Sequence, residues 1–476
     1  VLGGLLLLAQ TLIEVEPELR KIFDQKTSEA LEEFNLQNFD LIKELYDYLF
    51  YLPKENEHND LTLNLPKCKY RTTRSHAFKL LYLYSKGYEP NLHQTIDLLA
   101  WNHQNLPSFN LEASSSSAAS ANLELKNVTG YVGLKNLGCT CYMNSLIQQF
   151  FMTIPLRNTL LNAEVKIKLG EEQEVFLSQL TKEMWEAHEA SIKAQLSDSV
   201  LYQLQLLLAN LEESVSQYVV PQDFFNSIKT INGEKIVATV QQDVNEFFNT
   251  LCDKLETALK GTPQQRALDE LIGGVLSHEI ISLETDYPYY AEREEAYLTI
   301  PLDIKNKRDI TEALDLFIKE DILEGDNKYF CEKYGRKIRV MKRCCIKTLP
   351  NTLSITLKRF DFDFSSMQKV KINDYFEFPM TLNLKPWTKV GLKDQIPPEA
   401  NYEPPNYDDS YYEYELVGVL VHSGTADGGH YYSYIKDRSD PSKGWFEFND
   451  NRVKPFNIKE LKNECFGGDG DAKSVF

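Results

Sequence analysis

The sequence predicts an α+β protein: a helical lobe on an antiparallel sheet, with a cleft between them, preceded by an α-helical segment. Three observations predict it. Residues 1–105 and 156–260 read as mainly helical from the spacing of their apolar residues. From about 270 to 385, short apolar runs alternate with polar turns, as strands do. Between Tyr414 and Asp450, three aromatic and β-branched runs are separated by turn residues.

The elements follow in order. Within residues 1–105, "FDLIKELYDYLFYL" and "HAFKLLYLYSKGY" carry helical apolar spacing. They fit the end of a helical-repeat scaffold and equally a plain helical extension. "VLGGLLLLA" at the start is too short to cross a bilayer and lacks a basic leader. Asn110–Asn127 is serine-rich and low in complexity, so residues 106–129 are expected to form a flexible linker. Residues 130–476 form the larger domain. In it, Gly138 allows a tight turn, and Met143, Leu146, Ile147, Phe150 and Phe151 then form a helical stripe ending before Pro155. Gly391–Glu413, rich in Pro, Tyr and acid, is expected to be a disordered insertion. "YELVGVLV" (Tyr414–Val421) reads as a buried strand, "SGTADGG" as a turn and "HYYSYIK" as a second strand. "GWFEFND" is a third, ending in Asn449 and Asp450.

The formal charge of −19 and pI near 5.0 argue against nucleic acid, which needs basic patches. They suit a basic peptide ligand only weakly. Eight scattered cysteines fit a reducing compartment, cytoplasmic or nuclear, rather than a disulfide framework.

The residues that carry chemistry lie in two segments. In "NLGCTCYMNS", Cys141 falls in the first helical turn, where unpaired N–H groups and the helix dipole favour a thiolate. The Cys141 backbone N–H could receive an oxyanion, and Asn136 could add a side-chain donor from the turn. Cys139 is the rival nucleophile, but it precedes the helix and gains less from the dipole. In "HSGTADGGHYYSY", His430 follows two glycines and His422 is its rival; the glycines let another backbone approach closely, which favours His430. An Asn or Asp that orients a histidine fixes the tautomer of a general base, and Asn449 and Asp450 offer that pair.

These segments resemble the cysteine and histidine boxes of the ubiquitin-specific proteases. The resemblance runs from about Gly130 to about Phe466. It includes "QQDVNEFFNTLCDKL", "LEGDNKYFCEK", "LPNTLSITLKRFDFDF", "NDYFEFP" and "NECFGG", in the family's order. The chain looks most like the very large members whose catalytic domain is embedded in helical repeats, of the ubiquitin carboxyl-terminal hydrolase thirty-four type, with the fat-facets type next. The resemblance implies a papain-like fold of helical thumb, antiparallel palm and fingers. It implies a thiol hydrolase that cleaves after the C-terminal glycine of ubiquitin, with ubiquitin and ubiquitinated proteins as partners and no cofactor. Carried over, the nucleophile falls on Cys141, the base on His430, the third member on Asn449 with Asp450 as auxiliary, and the oxyanion donor on Asn136. Asp243 and Glu246 fall where the family holds the ubiquitin tail; their i, i+3 spacing gives them one helix face. Gly428 and Gly429 fit as walls of a channel for a Gly-Gly tail.

The chain departs from the family in two places. Many members bind zinc through two C-x-x-C pairs, but here Cys331 is followed by Tyr334 and no cysteine occurs between Cys252 and Cys331. No structural metal is therefore expected. The family's closing strand, A-Y-x-L-x-Y, is also missing before Phe476, and the chain starts at Val1, so both ends look cut from a longer protein. A catalytically silent domain that only binds ubiquitin is the alternative, as is a cysteine hydrolase of another substrate class.

Overall fold

The computed structural model describes residue 9 and residues 41–50, 68, 71–105, 129–468 and 473–475, apart from 171–172, 215, 231–232, 366 and 427. The chain divides into two compact units, Val1–Leu123 and Glu124–Phe476. Most of the expected linker lies outside the described residues.

In the first unit, α1 (Leu41–Phe50), α2 (Arg71–Ser85) and α3 (Glu89–Asn105) are helical, as their spacing predicts. Ile42, Leu45 and Leu49 share one buried cluster with Ala77, Leu80, Leu81 and Tyr84. The α2–α3 turn is held by polar side chains: Ser85 Oγ meets Thr95 Oγ1 at 2.8 Å, and Asn91 Nδ2 donates to Tyr84 O.

The helical lobe of the second unit centres on α4 (Cys141–Met152). Gln149 alone among its residues escapes burial, so the helix is enclosed rather than amphipathic. Its buried polar groups find partners: Asn144 Nδ2 donates to Leu134 O, Gln148 Nε2 to Val132 O and Ser145 Oγ to Tyr142 O. Helix α5 (Val200–Glu213) joins the same core. So does α6 (Val244–Leu259), which buries Val244, Phe247, Phe248, Leu251, Cys252 and Leu255, one face at helical spacing. Asp243 caps α6: its Oδ1 accepts from the N–H groups of Asn245 and Glu246. It therefore precedes the helix instead of sharing a helical face with Glu246.

Strands β1 (Gly274–Ser282), β2 (Tyr290–Tyr297), β3 (Asp321–Leu323) and β4 (Val340–Thr348) form an antiparallel sheet in the order β2-β1-β4-β3. A second sheet contains β5 (Gly418–Gly424), β6 (Gly429–Lys436), β7 (Trp445–Asn449), β8 (Arg452–Phe456) and β9 (Lys473–Val475), in the order β8-β7-β6-β5-β9. Both faces of β6 are covered. Tyr431 and Ile435 join the core of the helical lobe, while Tyr432 and Tyr434 join a second core.

Three expectations are corrected. The strand expected over Tyr414–Val421 is two pieces: Glu413–Glu415 pairs with Thr381–Asn383, and β5 starts only at Gly418. Residues 391–413 are ordered, with short 3₁₀ turns at Lys393–Gln395, Pro398–Ala400 and Asp409–Tyr412. Tyrosines supply the apolar area that the composition hides: Tyr412 is 2% exposed, Tyr407 stacks on Tyr411 at 4.1 Å, and the Tyr411 hydroxyl accepts from Leu349 N at 2.9 Å. The closing edge of the palm is also occupied, since β9 pairs with β5, Val421 opposite Val475.

A buried ionic cluster ties β1 and β4 to the segment after Trp387. Arg343 Nε donates to Glu279 Oε2 at 2.6 Å, and both side chains are shut off from solvent. Lys389 Nζ, equally buried, lies 3.5 Å from Glu279 Oε1 and 2.8 Å from Glu292 Oε2. Removing one member strands opposite charges without water. Glu279→Ala should therefore lower unfolding free energy in a urea titration by about 3–5 kcal/mol. A loss below about 1 kcal/mol would show that the cluster rearranges freely.

Candidate active site

The site is built on a turn and a helix start. Asn136 folds its carboxamide over the turn: Oδ1 accepts from Gly138 N at 2.9 Å and Thr140 N at 3.1 Å. Gly138 has φ of +146°, and a side chain there would press on Ala238 O. This turn delivers Cys141 as the first residue of α4, 3% exposed. Cys139 is half-buried, and its N–H is held by Ala238 O at 2.6 Å.

His430 arrives on β6. Its Nε2 donates to Asn449 Oδ1 at 2.8 Å. Asn449 Nδ2 in turn reaches Glu447 Oε1 at 3.4 Å, which sets the amide so that its oxygen meets the ring. That leaves Nδ1 for the Cys141 thiol. The hydrogen bond to Cys141 is the largest influence on His430 and raises its pKa from 6.5 to about 9; burial opposes the rise, while Asn449 and Asp450 add to it. The imidazolium is the favoured form beside this sulfur.

Asp450 has a different place. It sits at φ +47° in the tight β7–β8 turn, a left-handed conformation that Asp tolerates. Its Oδ2 is 3.9 Å from His430 Nε2 but takes a 2.9 Å bond from Asn136 Nδ2. Its Oδ1 takes a 2.8 Å bond from Asn144 Nδ2. One carboxylate thus anchors two carboxamides and backs the histidine electrostatically. Asn144 escaped the sequence reading. The signal was slight: asparagine is a poor helix former, and here it sits inside the first turn of a helix beside another polar residue, Ser145.

The other candidates fall as follows. His422 is 2% exposed, packs against Tyr431 at 4.5 Å, and is pushed down to a pKa of about 3 by burial first, then by Lys371 and His430. It stays neutral inside the fold. A side chain on Gly429 would collide with Ser423 O and the His422 ring, whereas Gly428 faces open space. Gly429 N donates to Gln241 Oε1 at 2.9 Å, which links the histidine hairpin to the residues before α6. Asp243 is half-buried at the start of α6 and Glu246 is exposed one turn on. Cys331 lies buried in a small apolar cluster with Ile338 and Val340.

Residues 132–470 match the family model described as ubiquitin carboxyl-terminal hydrolase. The chain belongs to this family. It is 35% identical over 471 residues to ubiquitin carboxyl-terminal hydrolase 9Y of Mus musculus, covering 90% of this chain and 18% of that protein. It is 31% identical to ubiquitin carboxyl-terminal hydrolase 34 of Mus musculus over 99% of this chain and 12% of the relative. With the probable ubiquitin carboxyl-terminal hydrolase FAF of Drosophila melanogaster it shares 34% identity over 71% of this chain and 13% of the relative. The chain therefore spans 18% or less of the length of these relatives. Its helices and sheets fit the papain-like fold of this hydrolase family, with the α4–α6 lobe as thumb, β5–β9 as palm and β1–β4 as fingers.

The two glycines separate experimentally. Gly429→Ala should lower the melting temperature by several degrees, the equivalent of about 1–3 kcal/mol of overpacking. Gly428→Ala should melt with the unaltered protein. Equal melting of both variants would show that the hairpin yields at Gly429.

Proposed function

We propose that this chain is a cysteine-type deubiquitinase that cleaves the isopeptide or peptide bond after the C-terminal glycine of ubiquitin. The observation that carries the reading is the division of His430: one ring nitrogen on Asn449 and the other left for the Cys141 thiol. The thiolate of Cys141 attacks the glycine carbonyl. Negative charge gathers on its oxygen, within reach of the Cys141 N–H and of the Asn136 Nδ2 hydrogen not used by Asp450. The His430 imidazolium gives its proton to the departing lysine amine, and a thioester remains on Cys141. His430, now neutral, takes a proton from water as the water attacks the thioester, releasing the ubiquitin carboxylate and the thiol. Asn449 keeps the ring in place throughout, and Asp450 holds Asn136. Asp243 and Glu246, carboxylates at the start of α6, are placed in this reading on the basic residues of the ubiquitin tail. Gly428, open on its side-chain face, borders the channel for the Gly-Gly end. Ubiquitin and ubiquitinated proteins are the partners, in a reducing compartment of cytoplasm or nucleus. Among the described residues no helix is long and apolar enough to cross a membrane.

Ubiquitin bearing a C-terminal electrophile tests this. A covalent adduct should form, and mass spectrometry should place it on Cys141. Cys141→Ala should abolish both the adduct and turnover of a ubiquitin–fluorophore substrate while ubiquitin still binds. Cys139→Ala should keep most of the activity. An adduct on Cys139 would overturn the choice of nucleophile, and binding without any adduct would make the domain a silent ubiquitin binder.

A further inference from the structure

A second hairpin stands beside the strand that leads to His430. Phe360–Asp363 pairs with Gln368–Lys371, and Phe360 and Lys371 face each other at its root. Phe360 sets its ring edge-on to His422 at 5.3 Å. Lys371 reaches further. Its Nζ donates to two main-chain carbonyls of β5, His422 O at 2.9 Å and Gly424 O at 3.3 Å.

Those carbonyls flank Ser423, and Ser423 is the residue that pairs with His430 across the β5–β6 ladder. Gly424 pairs with Gly429. One ammonium therefore grips both ends of the short stretch of β5 that sets the position of the histidine. From inside, the buried His422 ring fills the space that Gly429 leaves for want of a side chain. The buried Arg359 guanidinium and the neutral His422 are among the charged and titratable groups that act on Lys371. Arg359 itself donates from Nη1 to Ile372 O and Asp374 O. Burial first, and Arg359 second, push Lys371 down to a pKa of about 8. A half-buried cation beside another cation is stabilised by charge-assisted bonds to those two carbonyls.

We propose that Lys371 is a positioning residue for the thiol–imidazole pair: its ammonium clamps β5 at His422 and Gly424, so that Ser423 holds His430 in line with Cys141. The substrate side rests on the deubiquitinase reading; the clamp acts on the Cys141–His430 pair itself.

The test compares Lys371→Met and Lys371→Arg in the full chain, with Cys139→Ala in each and the alkylated peptide identified by mass spectrometry, so that Cys141 is followed apart from the half-buried Cys344 and the other thiols. Iodoacetamide reacts with the thiolate and needs no ubiquitin. Near neutral pH, Lys371→Met should slow alkylation of Cys141 about tenfold or more, while Lys371→Arg stays close to the parent. Melting temperatures should agree among the three. With a ubiquitin–fluorophore substrate, Lys371→Met should lose kcat with KM little changed. The parent should decline above about pH 8, and Lys371→Arg should carry activity further up, because guanidinium keeps its proton there. Equal alkylation rates in the parent and Lys371→Met would overturn the proposal. So would parallel loss of rate and melting temperature in both variants, which would make Lys371 a packing residue only. Alkylation as expected with no turnover of ubiquitin–fluorophore by the parent would support the clamp and remove the deubiquitinase reading.

Discussion

The packing of helix α4 on strand β6 decides where a thiol and an imidazole from opposite ends of the domain come to lie. Ser433 on β6 donates to Ser145 O in the middle of α4, in a place closed to water. Tyr431 and Ile435, on either side of Ser433, enter the same core as Tyr142, Leu146 and Ile147. A buried hydrogen bond set among large apolar side chains leaves little freedom for the helix to slide. The start of α4 and the start of β6 therefore meet at a fixed separation. All further placement, from Asn449 to Asp450 to the β5–β6 hairpin, refines that one contact.

Electrostatics then act on what packing has brought together. His430 is held protonated beside the Cys141 sulfur. Asn449 is a neutral acceptor, so it aligns the ring without competing for the proton as a carboxylate at that distance would. The carboxylate stands one residue further on, at Asp450, and is occupied by two carboxamide donors. In the proposed reaction, that arrangement leaves the imidazolium free to give up its proton to the leaving group. It also ties Asn136, the proposed oxyanion donor, to the same β-turn that presents Asn449.

Much of this was legible in the sequence because the signals were local. The apolar spacing after Gly138 gives a helix whose first residue is a cysteine, and the glycine pair before His430 marks a hairpin under close approach. The parts that were not legible depend on tertiary partners. Asn144 and Asp450 meet only after the β7–β8 turn has folded onto α4. Asp243 looked like a helical surface residue and is a cap, a difference of one position that periodicity does not resolve. Residues 391–413 looked disordered because Pro and acid dominate their composition. Their order comes from tyrosines lodged against Leu349 and the buried ionic cluster, which is long-range information. The β9 pairing was invisible because main-chain pairing leaves a weak mark on so short a run.

The account stands or falls on the coupling of Cys141 and His430, and an NMR titration of the His430 ring measures it without substrate. In the intact protein the ring should titrate near pH 9, well above the ordinary 6.5. In Cys141→Ala, where the thiol that contributes most is gone and burial remains, the midpoint should fall by more than one pH unit. A His430 that titrates near 6.5 in both proteins would contradict that coupling, and with it the reading of this site as a thiol hydrolase.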